Sequence, residues 1–216
     1  MKYKYVIFDF NGTLYWDTHL HNEAWNSFLE KHLLSLSDQE KGEILHGKNN
    51  EEILRMLFGE TVTDTQIRSF ILEKEGMYQQ LCKNSNLALA PGVASFLNFL
   101  KSRNVPFTIA SASGIENINF YFDYLKLGQW FDYRKVVYND GTLKSKPDPG
   151  FFLKAMEVLV ANPEETLIFE DSVTGIKSAL ASNPGKVVVV NSNPHNFQDT
   201  ELDVIQNFDE VNRDWF

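Results

Sequence analysis

Tyr5-Val6-Ile7-Phe8-Asp9-Phe10-Asn11-Gly12-Thr13-Leu14 is the stretch on which the fold reading turns. Its first six residues are apolar, β-branched or aromatic, apart from one carboxylate. The pattern predicts a short buried strand closed by a Gly12-Thr13 turn. From His19 to about Asn84 the chain changes character. Ala24, Phe28 and Leu29 recur at helical spacing, as do Ile53, Leu54, Leu57 and Phe58. Thr63 with Gln66 forms a capping-box signal ahead of a helix over Ile67 to Leu81. No strand pattern interrupts this segment, which predicts an all-helical insertion of about four helices. Pro91-Gly92 punctuates the return, and helix and strand then alternate. Strands are predicted at 107–110, 135–138, 166–169 and 187–190, with helices at 115–125 and 151–160 and a helical stripe at Val173, Ile176, Ala179 and Leu180. This rhythm predicts an α/β fold, a Rossmann-like doubly wound parallel sheet. Residues 1–15 and 87–216 form the core in this reading, and 16–86 the helical insertion. The last twenty or so residues carry no pattern that assigns them.

The chain has 216 residues and a formal net charge of −9. That balance gives no general attraction to phosphate backbones or anionic lipid, so nucleic acid and membrane are not expected partners. No apolar run approaches the ~18 residues of a membrane helix. Lys2 and Lys4 precede an apolar run that Asp9 cuts too short for a signal-peptide core. Cys82 is the one cysteine, expected to pack in a helix, and it allows no internal disulfide. A cytoplasmic monomer or weak dimer is the expectation.

Four strand ends or loops carry clustered polar residues: Asp9 with Asn11, Ser111-Ala112-Ser113-Gly114, Lys144-Ser145-Lys146-Pro147, and Glu170-Asp171-Ser172. Taken singly, each has an ordinary role as cap, turn former or solvated charge. A parallel sheet brings all of them to one edge, where ligands of such folds bind. Three carboxylates, a lysine and a hydroxyl then converge. The chemistry they suit is phosphoryl transfer through an aspartyl phosphate. A hard divalent cation offsets the repulsion between carboxylate and phosphate, and a lysine, a serine hydroxyl and backbone N–H groups hold the phosphate oxygens.

On these residues the chain resembles the haloacid dehalogenase-like hydrolase superfamily, most of all its β-phosphoglucomutase and phosphoglycolate-phosphatase-like branch. The four motifs occur in order between Tyr5 and about Ser192, with the helical insertion in the position of the family's cap domain. The resemblance implies Asp9 as nucleophile, Ser111, Ala112 and Ser113 as the phosphoryl-binding strand end, and Lys146 as the neutralising cation. It implies Mg2+ held by Asp9, the backbone carbonyl of Asn11 and Asp171, with Glu170 a direct or water-mediated ligand. The expected substrate is a small phosphorylated metabolite such as a sugar phosphate.

Asn11 departs from the family's pattern, which has a second aspartate there as general acid and base. An amide leaves nucleophilic attack intact and removes that proton transfer. His21 is either a substitute, similar to a histidine at the start of the mutase cap, or a polar helix-surface residue. The segment His46 to Glu51 resembles the mutase's substrate-reading loop. There Asn50 replaces an arginine that grips a second phosphate, and Lys48 remains to reach an anionic group. A phosphosugar mutase and a catalytically impaired binding protein are the alternatives. A dehalogenase of the same fold needs no metal, and Glu170-Asp171 counts against it. Gly42 to Lys48 has the spacing of a P-loop, but Asn49 stands where Ser or Thr is needed and no strand precedes it.

Overall fold

The computed structural model describes residues 2–45, 48–59, 61–192, 197 and 201–216. The chain divides into two compact units, Met1–Trp16 with Ala88–Phe216, and Asp17–Leu87.

The first unit is a six-stranded sheet, parallel throughout. Its strands are β1 (Tyr5–Phe8), β2 (Phe107–Gly114), β3 (Val137–Asn139), β4 (Thr166–Glu170), β5 (Lys186–Val190) and β6 (Asp203–Ile205), in the order β3-β2-β1-β4-β5-β6. β1 lies between β2 and β4, where the order reverses. This is the switch point at which open α/β sheets bind ligands. Phe8 pairs with Phe169 in register, and their rings stack at 5.2 Å between centroids. Phe96, Phe107 and Phe131 meet the Phe8 ring edge-on, and Ile7, Phe151, Phe152 and Ile168 fill a further part of the core. The residues buried at 0–1% exposure include Val6, Ile7 and Phe8 together. Burial on both faces explains why β1 reads as a continuous apolar run rather than an alternating one.

The structure departs from the expected boundaries at several places; β1 closes at Phe8, short of the expected Phe10. β2 runs on to Gly114, because Ser111 to Gly114 stays extended and Gly114 pairs with Asn139 after a register irregularity. β3 starts at Val137, since Asp132 accepts a hydrogen bond from the Arg134 N–H and closes a 3-10 turn over Tyr133–Lys135. The unassigned C-terminus supplies β6. It also returns to the start of the chain, where the Trp215 carbonyl accepts from the N–H groups of Lys2 and Tyr3, and Phe208 packs on Phe8 and Phe169.

The second unit holds α1 (Thr18–Lys31), α2 (Asp38–Ile44), α3 (Asn50–Phe58) and α4 (Asp64–Ser85), and no strand among its described residues. Capping boxes at Ser37, Asn49 and Thr63 satisfy the first-turn N–H groups of α2, α3 and α4. Trp25, Phe28, Ile53, Leu54 and Ile67 form its core. Cys82 is fully buried.

Candidate active site

The turn after β1 is built on one carbonyl. Phe10 O accepts from the N–H groups of Thr13, Leu14 and Tyr15. Gly12 takes φ +82°, and a Cβ there would overlap the carboxylate of Asp171. The chain is thereby folded tightly enough to set Asp9 just beyond the strand, with its N–H donating to Phe169 O at 3.0 Å.

Asp9, Glu170 and Asp171 converge from the ends of β1 and β4. All three are buried, and one oxygen from each lies within 4.8 Å of the others. Lys146, from the loop before α7 (Gly150–Leu159), donates to Asp9 Oδ1 at 2.6 Å and to Glu170 Oε1 at 2.7 Å. Its ammonium sits 4.8 Å from the centre of the Phe152 ring. The second oxygen of Glu170 accepts from the N–H and hydroxyl of Ser172 at the start of α8 (Val173–Ala181). Gly175 lets this carboxylate lie against the helix, as a Cβ there would overlap it. Thr13 donates to Asp171 Oδ1 at 3.2 Å.

The electrostatics are crowded. Burial, with Glu170 adding, pushes Asp9 up to about 7 against the opposing pull of Lys146. Burial first, then the charges of Glu170 and Asp9, holds Asp171 well above the usual carboxylate range. Burial disfavours the Lys146 ammonium, but Asp9 and Glu170 outweigh it and raise its pKa. Three carboxylates against one lysine leave an excess of buried negative charge. Such a set of hard oxygen donors fits a divalent cation such as magnesium.

Ser111 is buried, and its Oγ accepts from the Ser113 N–H; Ala112 is exposed. Asn11 donates to the Tyr121 hydroxyl and accepts from Ser113 Oγ. The structure thus brings Asp9, Lys146, Glu170 and Asp171 into one cluster and joins Asn11 to Ser113. His21 and the half-buried Lys48 lie in the helical unit, while His46 and Gly47 of the expected substrate-reading loop are outside the described residues.

His21 is not a simple surface histidine. Its ring stacks on Tyr78 at 3.8 Å, and Nδ1 lies 3.0 Å from Lys74 Nζ. Lys74 also donates to Glu75, which accepts from Asn50, and Tyr78 donates to Asp17. The sequence carried a signal for this cluster that the helical pattern masked: Lys74 falls on the stripe Ile67, Ile71, Tyr78, Cys82, and a charge on a buried stripe needs a partner. Tyr121, by contrast, looks like any aromatic on a helix.

Comparison with known proteins identifies the family. The model of the haloacid dehalogenase-like hydrolase family matches residues 3–183. A Thermotoga maritima protein named phosphorylated carbohydrates phosphatase is 28% identical over 178 residues, covering 81% of this chain and 79% of its own length. The β-phosphoglucomutase of Bacillus subtilis is 30% identical over 181 residues, covering 81% of this chain and 78% of its own. The crystal structure of a HAD hydrolase, family IA, variant 3, from Entamoeba histolytica HM-1:IMSS superposes with a TM-score of 0.84 at 31% identity, over 98% of this chain and 96% of that one. A matched family model over most of the sequence and a nearly full-length structural counterpart lead to one conclusion: the chain belongs to the haloacid dehalogenase-like hydrolase family.

Proposed function

We propose that this enzyme is a magnesium-dependent phosphatase of small phosphorylated sugars, working through a phosphorylated Asp9. The observation that carries the reading is the Asp9 carboxylate held 2.6 Å from Lys146 beside Glu170 and Asp171 at the sheet's switch point. Asp9 attacks phosphorus, the bond to the sugar oxygen breaks, and an acyl phosphate remains on Asp9 until water displaces it. Ser111, with the neighbouring Ala112 and Ser113 backbone, binds the transferring group's oxygens, and Lys146 neutralises their charge. Asp9, the Asn11 carbonyl and Asp171 are the proposed magnesium ligands, with Glu170 direct or through water. When bound, magnesium offsets the charge between nucleophile and phosphate. Residues 16–86 act as the cap, with His21 and Lys48 reading the substrate. Position 11 transfers no proton, so the departing oxygen takes its proton from water, a slow step that a carboxylate at position 11 speeds.

The sugar-phosphate class is supported by the names of the Thermotoga maritima and Bacillus subtilis relatives. Hydrolysis is preferred over mutase action because position 50 carries an amide, bonded to Glu75, in place of a cation for a second phosphate. The single buried Cys82 suits a reducing cytoplasm, and no helix among the described residues is long and apolar enough to cross a membrane. The test is phosphate release from a panel of sugar phosphates, with magnesium, with chelator, and with Asp9→Asn. Release that needs both magnesium and Asp9 supports the reading. Release that survives Asp9→Asn, or chloride release from a haloacid with no phosphatase activity, overturns it.

A further inference from the structure

Asn11 stands where the family's pattern has a titrating carboxylate, and its side chain is clamped from two sides. Its Nδ2 donates to the Tyr121 hydroxyl at 2.7 Å, and its Oδ1 accepts from Ser113 Oγ at 2.8 Å. Both partners come from one stretch of chain, the end of β2 and the helix α6 (Ile115–Tyr124) that follows it. Tyr121 is 1% exposed. Its ring stacks on Phe10 with centroids 4.4 Å apart and planes at 28°, and it also meets Tyr15 at 6.2 Å. Phe10 is itself fully buried and lies between Asp9 and Asn11 in sequence. The phenol is therefore fixed against the residue that joins nucleophile to amide.

We propose that Tyr121 is a positioning residue for the phosphoryl-transfer site. With Ser113 it locks the Asn11 amide, so that position 11 acts as an oriented dipole rather than a proton carrier. Preorganised dipoles need no rearrangement as charge develops in the reaction. A freely rotating amide beside Asp9 has that rearrangement still to make. This inference rests on the phosphatase reading for its kinetic consequence, and on the two hydrogen bonds alone for the clamp.

Tyr121→Phe tests it, because the ring stack on Phe10 is kept and only the hydroxyl is lost. Partners of residues at a metal site typically contribute about 10–100-fold in metal affinity or activity. With p-nitrophenyl phosphate and magnesium, kcat is expected to fall about tenfold, at the low end of that range, with KM and Tm nearly unchanged. In an Asn11→Ala background the same substitution has no further effect on kcat, since contacting residues are not additive. An unchanged kcat in Tyr121→Phe, or independent multiplicative losses from the two substitutions, overturns the proposal. A second measurement does not depend on turnover. The Asn11 side-chain amide, followed by 15N NMR, exchanges slowly with solvent in the native protein and faster in Tyr121→Phe. An amide whose exchange and shift ignore the Tyr121 hydroxyl also overturns it. If the native protein releases no phosphate, the functional reading fails on its own, and the amide exchange still decides the clamp.

Discussion

Asn11 lies between two hydroxyls, Tyr121 and Ser113, one residue beyond a buried phenylalanine and two beyond the carboxylate of Asp9. An amide there is compatible with nucleophilic attack by Asp9 and removes one acid–base group. A positioned general acid–base contributes about 10²–10⁴-fold in rate. Asn11→Asp is expected to raise kcat for phosphate release by roughly tenfold or more, a partial recovery of that range. Steady-state kinetics at saturating magnesium and several pH values check this, and no increase at any pH places the acid–base chemistry on other groups. At this scale the sequence was uneven. Asp9 stands out because one carboxylate interrupts an apolar strand, and Glu170-Asp171 because two acids close another. Tyr121 and Thr13 do not stand out, since their partners are over a hundred residues away and nothing local marks them.

Two glycines set the geometry at the scale of the element. At Gly12 the turn after β1 needs φ +82° and leaves no room for a side chain against Asp171. At Gly175 the first turn of α8 lies against Glu170. Gly175→Ala is expected to displace the Glu170 carboxylate, weaken magnesium binding, and lower Tm, whereas alanine in an open helical position is stabilising by up to about 1 kcal/mol. Calorimetric titration with magnesium and a melting curve distinguish the two outcomes. The strands and helices themselves were legible because period and punctuation agree along most of the core. The limits of β2 and β3 were not, because a Ser-Ala-Ser-Gly segment reads as a turn and only tertiary pairing with Asn139 keeps it extended. The polar cluster on α4 was hidden by the same stripe that revealed the helix.

The α/β unit is organised by the reversal of strand order between β1 and β4, which places two acidic strand ends side by side. The alternation of strand and helix predicted this sheet, but β6 and the aromatic C-terminus have no periodicity to read; Phe208 and Phe216 are held by ring packing and by long-range hydrogen bonds, Phe208 N–H to Pro91 O and Arg103 to Phe216 O. The same acidic edge links stability to pH. Asp9 titrates at about 7 in the folded chain against an ordinary value of 3.8, and Asp171 is raised as well. The metal-free folded state therefore binds more protons than the unfolded chain between about pH 4 and pH 7, so its stability falls as pH rises through that window. Magnesium at the proposed site requires ionised carboxylates, so its stabilising effect is expected to be small near pH 5 and large near pH 8. At about 100 times Kd it contributes about 2.7 kcal/mol, roughly a 5–10 °C rise in Tm for a chain of this size. Melting curves with and without magnesium across that range check the sign; equal shifts at both ends contradict a carboxylate site. A phosphoryl group carried by Asp9 can be trapped there. The protein is mixed with p-nitrophenyl phosphate and magnesium, quenched in mild acid, and its peptides analysed by mass spectrometry. An acid-stable, base-labile phosphoryl group is expected on the peptide containing Asp9, and none in Asp9→Asn. Turnover accompanied by a phosphoryl group on another residue, or an Asp9→Asn protein that still turns over, contradicts Asp9 as the carrier.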